Sequence, residues 1–343
     1  MDGRSNAVSG GGAKFTLTVS ATSGAQVTAS KGDKVVSGTS TNGEAVLVLP
    51  EAGEWTVSGT LNGQASGSVT VEVVGDYTAA LVFVGSLNDT SWEEISEIST
   101  AGTAQNYWSV GDRKQVTLNG TVGALSLSNF STYAFIIGFN HNSSREGTGR
   151  IHFQLAKTSL SGGADICFVD SNYNSTGSST GFRMNTSNTN SGGWEDSYMR
   201  NSICGTSKSS TSGRFMGAIP SALRNALKSV NKYTDNTGGG GGSVSSYVTR
   251  TTDYIFLLSE YEVFGTITSG NTYEANYQQQ YAYYAAGNSK IKYRHNSTGS
   301  SATWWLRSPY ASIPSSFNCV DTNGSVNNDF AHSSLGVAPG FCV

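Results

Sequence analysis

Charge is what this sequence has least of. Asp, Glu, Lys and Arg make up 13% of its 343 residues, about half the share usual in globular proteins. The surface must then be solvated mainly by hydroxyls and amides. The 21 basic and 24 acidic side chains leave a net charge of −3, and no Lys/Arg cluster stands out. A protein that tracks phosphates needs a basic stripe, so nucleic acid is excluded as a partner. Long apolar runs are missing too. The longest, "AALVFVG" at 79–85, is far short of the roughly 20 residues that span a bilayer, so no membrane insertion is expected. The start, "MDGRSNAVSG", lacks the basic-then-apolar pattern of a signal peptide. The expectation is synthesis in the cytoplasm without an export signal.

Motifs that carry chemistry are equally sparse. The four cysteines, Cys167, Cys204, Cys319 and Cys342, form no CxxC pair and no zinc-spaced cluster. They read as buried free thiols, with Cys319 and Cys342 the pair best placed for any disulfide. No metal and no cofactor is expected. "TGGGGGS" has no GK[ST] sequel and is not a phosphate loop. "DTNGSVNND" at 321–329 has too few carboxylates for a calcium loop. There is no GxSxG elbow. His141 and His152 flank Arg145, Glu146 and Arg150, which reads as a structural hydrogen-bonded cluster. In the second half of the chain the close carboxylate pairs are Glu195 with Asp196 and Glu260 with Glu262. The latter follows a buried strand, and a minor alternative reading is a cell-wall glycan hydrolase using it. The main reading is a protein that is not an enzyme.

What the chain does have is glycine, 42 residues of it, with Ser, Thr and Asn between short apolar runs. Residues 1–12 read as a flexible or docking arm. Over 13–75, runs such as "KFTLTVSA", "EAVLVLP" and "EWTVSGTL" alternate with period two between Gly/Asn turns, the pattern of a small β-sandwich. Trp55 and Val57 should point inward, Glu54 and Thr56 outward. Residues 76–86 read as a linker strand. Region 87–343 reads as α+β. "DTSWEEISEIS" has a capping Thr90 or Ser91, and Glu93 and Glu94 beside the positive helix end. "IPSALRNALKSV" and "EANYQQQYAYYAA" are further helices, the last with Tyr277, Tyr281 and Tyr284 on one face. Residues 234–246, "TDNTGGGGGSVSS", read as a flexible loop.

Near the C-terminus "ATWWLRSP" reads as a strand with Trp304, Trp305 and Leu306 in the core. Arg307 shares a face with Trp305. "LGVAPGFCV" is a second stiff segment able to pair beside it. The polar stretch between them is expected to offer Arg307, Tyr310, Phe317, Asn327, Asp329, Phe330 and His332 to a ligand. Aromatic rings mixed with Asn, Ser and Gly suit adaptable binding surfaces.

The set "FLLSEYEVFG" (256–265), "QYAYY" (280–284), "WWLRSP" (304–309) and "GVAPGFCV" (336–343) resembles a domain of unknown function found in phage tail and prophage proteins. "FNHNSSREGTGRIHFQL" (139–155), "SNTNSGGWEDSYMR" (187–200) and "KYTDNTGG" (232–239) share that likeness. "LPEAGEWTVSGTLNGQ" resembles the small Ig-like modules that precede such domains. The Trp-rich strand, polar insert and closing segment also resemble the C-type lectin fold. The calcium-dependent sugar-binding tripeptides Glu-Pro-Asn and Trp-Asn-Asp of animal lectins are absent. The resemblance implies a β-rich multidomain protein, an Ig-like sandwich followed by an α+β C-type-lectin-like domain. It implies a virion surface protein, present in many copies or as a homo-oligomer. Its residues 1–75 would attach to capsid or tail proteins and its C-terminal loops would bind a host surface glycan or polymer. A decoration or fibre protein with a structural role is the alternative.

Overall fold

The computed structural model describes residues 14–81, 83–177 and 180–343. The arm expected at 1–12 lies outside them. The chain divides after Ser86 into two compact units. The first is mostly β-strand, and the second combines many short strands with short helices and turns. Among the described residues no helix is long and apolar enough to cross a membrane.

The first unit holds β1 (Phe15–Ser20), β2 (Gln26–Lys31), β3 (Lys34–Thr39), β4 (Glu44–Leu49), β5 (Gly53–Leu61), β6 (Gln64–Ala65), β7 (Val69–Val73) and β8 (Tyr77–Ala80). They form one sheet of order β4-β1-β8 and a second of order β3-β2-β5-β6, with β7 also on β5. Alternation along the strands sends Leu17, Val27, Leu47, Trp55, Val57 and Val73 into one shared core. Glu54 and Thr56 face solvent. The linker strand expected at 76–86 is instead part of this unit. Its residues 77–80 are β8, parallel to β1, because Ala79 and Leu81 bury in the same core.

The second unit contains thirteen strands among its described residues. They are β9 (Arg113–Val122), β10 (Leu125–Phe139), β11 (Ile151–Lys157), β12 (Ile166–Cys167), β13 (Val230–Asp235), β14 (Val248–Asp253), β15 (Ile255–Phe256), β16 (Lys292–Arg294), β17 (Ser297–Ala302), β18 (Trp304–Pro309), β19 (Ser316–Val320), β20 (Val326–Phe330) and β21 (Gly340–Cys342). Short helices are set between them: α1 (Trp92–Thr100), α2 (Ser143–Glu146), α3 (Phe215–Ala218), α4 (Ser221–Ala226), α5 (Glu260–Phe264) and α6 (Ala282–Ala285). The main sheet has the order β15-β21-β11-β10-β9. The C-terminal strand therefore lies inside a sheet whose other strands come from far earlier in the chain. A smaller antiparallel sheet has the order β18-β19-β20.

Ser91 caps α1 by accepting from the Glu94 N–H, and Trp92 and Ile95 bury beneath it. Three expectations need correction. The tyrosine-rich stretch is not one helix: a 3-10 turn, Thr272–Asn276, is separated from α6. The break follows from Tyr281, whose N–H bonds to the Glu262 carbonyl rather than to a helical neighbour. The helix from Pro220 stops at Ala226, and Val230 already opens β13. Residues 234–246 are not a loop throughout. Thr234 and Asp235 belong to β13, and a Cβ on Gly238 would lie 2.0 Å from the Asn190 carbonyl oxygen. Here glycine permits close packing of backbones.

Candidate functional site

Strand β18 is buried on both faces. Trp304, Trp305, Leu306 and Arg307 are each fully buried. The indole N–H of Trp305 donates to the Phe182 carbonyl at 2.8 Å, and that of Trp304 to the Lys290 carbonyl at 3.0 Å. Arg307 is therefore no ligand contact, contrary to the sequence expectation. It does not lie free beside Trp305. Its Nη1 and Nη2 donate to both oxygens of Glu262 at 2.5 and 2.9 Å, and its Nε to Thr234 Oγ1 at 2.7 Å. Phe317 is also fully buried, because β19 is covered along its whole length.

The segment expected as a loop-rich insert is largely sheet. Strand β20 pairs with β19 through five residues, from Ser316↔Phe330 to Val320↔Val326. A turn from Asp321 to Ser325 joins them, closed by the Asp321 N–H on the Ser325 carbonyl. "GVAPGFCV" touches β18 at Trp304↔Gly336, but its strand β21 pairs with β11 and β15 instead.

The other five candidates reach solvent. Phe330 is 50% exposed, Asn327 is exposed, and Tyr310, Asp329 and His332 are partly so. The Phe330 and His332 rings lie 6.0 Å apart. Asp329 accepts from Ser333 Oγ at 2.8 Å. The Tyr310 N–H donates to the Ser316 carbonyl, and the Ala331 N–H to the Ser315 carbonyl, which ties the turn at 311–315 to this strand pair. Sequence reasoning missed Ile313 on that turn, 38% exposed. The signal was present as a lone apolar residue between Ser312 and Pro314.

Arg307 opens onto a buried polar network. Lys232 of β13 donates to Glu146 at 2.9 Å, to Glu262 at 3.0 Å and to the Tyr281 hydroxyl at 2.8 Å. His152 Nδ1 lies 3.1 Å from that hydroxyl and 3.3 Å from Cys342 Sγ. His141 stacks on the Tyr281 ring at 3.8 Å. Burial, aided by the positive charge of Lys232, pushes His141 down to about 3. Burial lifts Glu146 to about 7, outweighing its pairing with Lys232. Burial acts the same way on Glu262, yet Arg307 and Lys232 together hold it well below the usual carboxylate range. Burial also raises Glu274 to about 7.

His141, Glu146 and Glu262 each present a donor atom, all within 4.8 Å of one another. A metal there would have to displace the Lys232 ammonium, which already pairs with both carboxylates. The donors therefore fit a lysine-centred charge network better than a metal ion.

Of the residues flanked by the two histidines, Glu146 joins them. Arg145 lies instead over the Tyr277 ring at 4.7 Å, and Arg150 donates to the Ser229 carbonyl. Glu260 and Glu262, the pair considered for glycan hydrolysis, are both fully buried. Glu260 accepts from the backbone N–H groups of Thr268, Ser269 and Gly270 and from Asn318 Nδ2. Neither carboxylate can meet a glycan. Glu195 and Asp196 are exposed, beside Trp194, whose indole is buried on Asp253. All four cysteines are buried and free. An open groove of about 870 Å³ runs between α1 and α4, walled by Glu93, Glu97 and Asn225. None of the candidate residues lines it.

Comparison with known proteins gives one family match. The Domain of unknown function (DUF6273) matches residues 168–343. The chain belongs to this family. No curated protein and no solved structure matches it. The DUF6273 region holds Lys232, Glu262, Tyr281 and Arg307, but Glu146, His141 and His152 lie ahead of it. Its strands β15 and β21 likewise join a sheet completed by β9, β10 and β11.

Proposed function

We propose that this chain is a non-enzymatic bacteriophage virion surface protein that binds a host cell-surface glycan or polymer. The binding surface is the β19–β20 pair and its adjoining turn: Tyr310, Ile313, Asn327, Asp329, Phe330 and His332. The second unit is a C-type-lectin-like head and the first an Ig-like anchor. One observation carries the reading. Edge strand β20 exposes Asn327 and a half-exposed Phe330, with the partly exposed His332 just past its end, while its partner β19 and the strand beyond, β18, are fully buried. Aromatic faces stack on sugar rings while amides bond their hydroxyls, so such a surface needs no charge. The charged side chains of the Lys232 network are meanwhile withdrawn into the interior.

The anchoring role rests on the first unit. Val46, Val48, Val74 and Tyr77 are 60, 52, 77 and 42% exposed there, and an attached partner would cover them. Weak single-site binding becomes avid when many copies are mounted together. The test is binding of the full chain to a glycan array and to purified cell-wall polymers of candidate hosts. Retention on a defined polymer class is expected. Binding to assembled virions with no binding to any host surface fraction would favour the decoration or fibre role instead.

A further inference from the structure

The turn between β18 and β19 makes few hydrogen bonds of its own. Within residues 310–316 the Tyr310 N–H donates to the Ser316 carbonyl at 3.0 Å, and the Ser316 N–H to the Ile313 carbonyl at 3.3 Å. Its other backbone bonds reach outside the turn, and most end on one residue. Asn190 is fully buried. Its Nδ2 donates to the carbonyls of Tyr310, Ile313 and Ser316 at 3.0, 2.9 and 2.8 Å. Its backbone N–H donates to the Pro314 carbonyl at 2.7 Å. Asn190 Oδ1 accepts from the Gly239 N–H at 2.7 Å. That set of partners fixes which way the amide points, since the reverse would turn its oxygen against three carbonyl oxygens. The glycine run backs the turn as well. The Gly242 N–H donates to the Ala311 carbonyl at 2.8 Å, and a Cβ on Gly240 would lie 2.8 Å from the Pro314 ring.

We infer that Asn190 is a positioning residue for the β19–β20 surface. It holds the 310–316 turn in the shape that keeps Tyr310 and Ile313 at the Phe330 end of the strand pair, where Ser316 pairs with Phe330. Being buried, Asn190 touches no ligand and acts through the turn. The physical reason is ordering. A turn with two internal bonds would be fixed only when a ligand arrived, and ordering a loop during binding weakens affinity. Asn190 moves that ordering to folding, because four carbonyls of the turn would lose their partner if it let go. The inference rests on the proposed binding surface for what the turn does, and on the hydrogen bonds alone for how the turn is held.

Asn190→Asp in the full chain tests it. The size is kept and an oxygen can still accept from Gly239, but no side-chain N–H faces the three carbonyls. Asn190→Ala removes the same donors and serves if the carboxylate prevents folding. Hydrogen exchange read by mass spectrometry should quicken by at least about tenfold in peptides covering 310–316, with the turn at 321–325 unchanged. Affinity for the purified cell-wall polymer that retains the parent should fall by at least about tenfold. Leu118→Ala, in the buried face of β9, controls for lost stability. At a temperature where both variants are folded it should bind as the parent does. Unchanged exchange at 310–316, parent-like affinity despite faster exchange, or an equal loss in Leu118→Ala would each overturn the inference. If the parent binds no host fraction, the surface reading fails on its own, and the exchange result still decides whether Asn190 holds the turn.

Discussion

Arg307 closes both oxygens of Glu262, and Lys232 shares one of them, so each buried charge in this set depends on its neighbours. Removing one partner strands the rest. Arg307→Met is expected to cost about 3–5 kcal/mol, the usual penalty for breaking a buried pair, read by urea denaturation. The histidines set the acid limb. His141 is held at about 3 in the fold against an ordinary 6.5, so the unfolded chain takes up its proton first. Its contribution is complete above pH 6.5 and is lost as pH falls toward 3. Glu146 has the opposite sign. Raised to about 7 from 4.5, it contributes below pH 4.5 and loses that contribution as pH rises through 7. His141→Gln should therefore lose less melting temperature than the parent between about pH 7 and pH 4, while the alkaline side of the two profiles stays parallel. At this scale the sequence was legible where partners were near in chain, as with His141, Glu146 and His152. It misplaced Arg307 because alternation assigns one strand face to solvent, and β18 has no solvent face.

Elements with local signals could be read directly. α1 announces itself by Ser91, its two glutamates and the spacing of Trp92 and Ile95. The tyrosines of 277–284 keep a helical spacing, but the Glu262 carbonyl captures the Tyr281 N–H and breaks the helix. That carbonyl is distant in sequence and invisible to periodicity. The glycine run shows a second limit, since composition cannot tell a flexible tether from a close approach. Gly238 and Gly239 both have left-handed backbone, φ 61 and 76°, but a Cβ on Gly238 would meet the Asn190 carbonyl while one on Gly239 would meet nothing within 4 Å. Gly238→Ala should cost more than Gly239→Ala. With strain of roughly 1–3 kcal/mol and about 2–4 °C per kcal/mol in a unit of this size, the first variant should melt several degrees below the second.

For the whole molecule, the β-rich, several-sheet character could be read from alternation and turn spacing, and the chain divides after Ser86, shortly before the helix start at Ser91. How far the second unit extends could not be read from the matched family region alone. Residues 168–343 lack β9, β10 and β11 as well as Glu146 and His152. A fragment of that span should leave β21 without its β11 partner and Lys232 underpaired. It is expected to melt without a cooperative transition, whereas 87–343 should melt cooperatively, as followed by near-ultraviolet circular dichroism.

Attachment is the property on which the functional account turns, and a change to the β19–β20 surface alone probes it best. Phe330→Ala combined with Asn327→Ala removes the exposed ring and amide from a strand whose buried neighbours stay untouched, so the melting temperature should hold. The decisive measurement is binding of this variant and of the parent to intact host cells, at equal concentration. The account predicts at least about a tenfold loss of affinity. Equal binding by both proteins would contradict it.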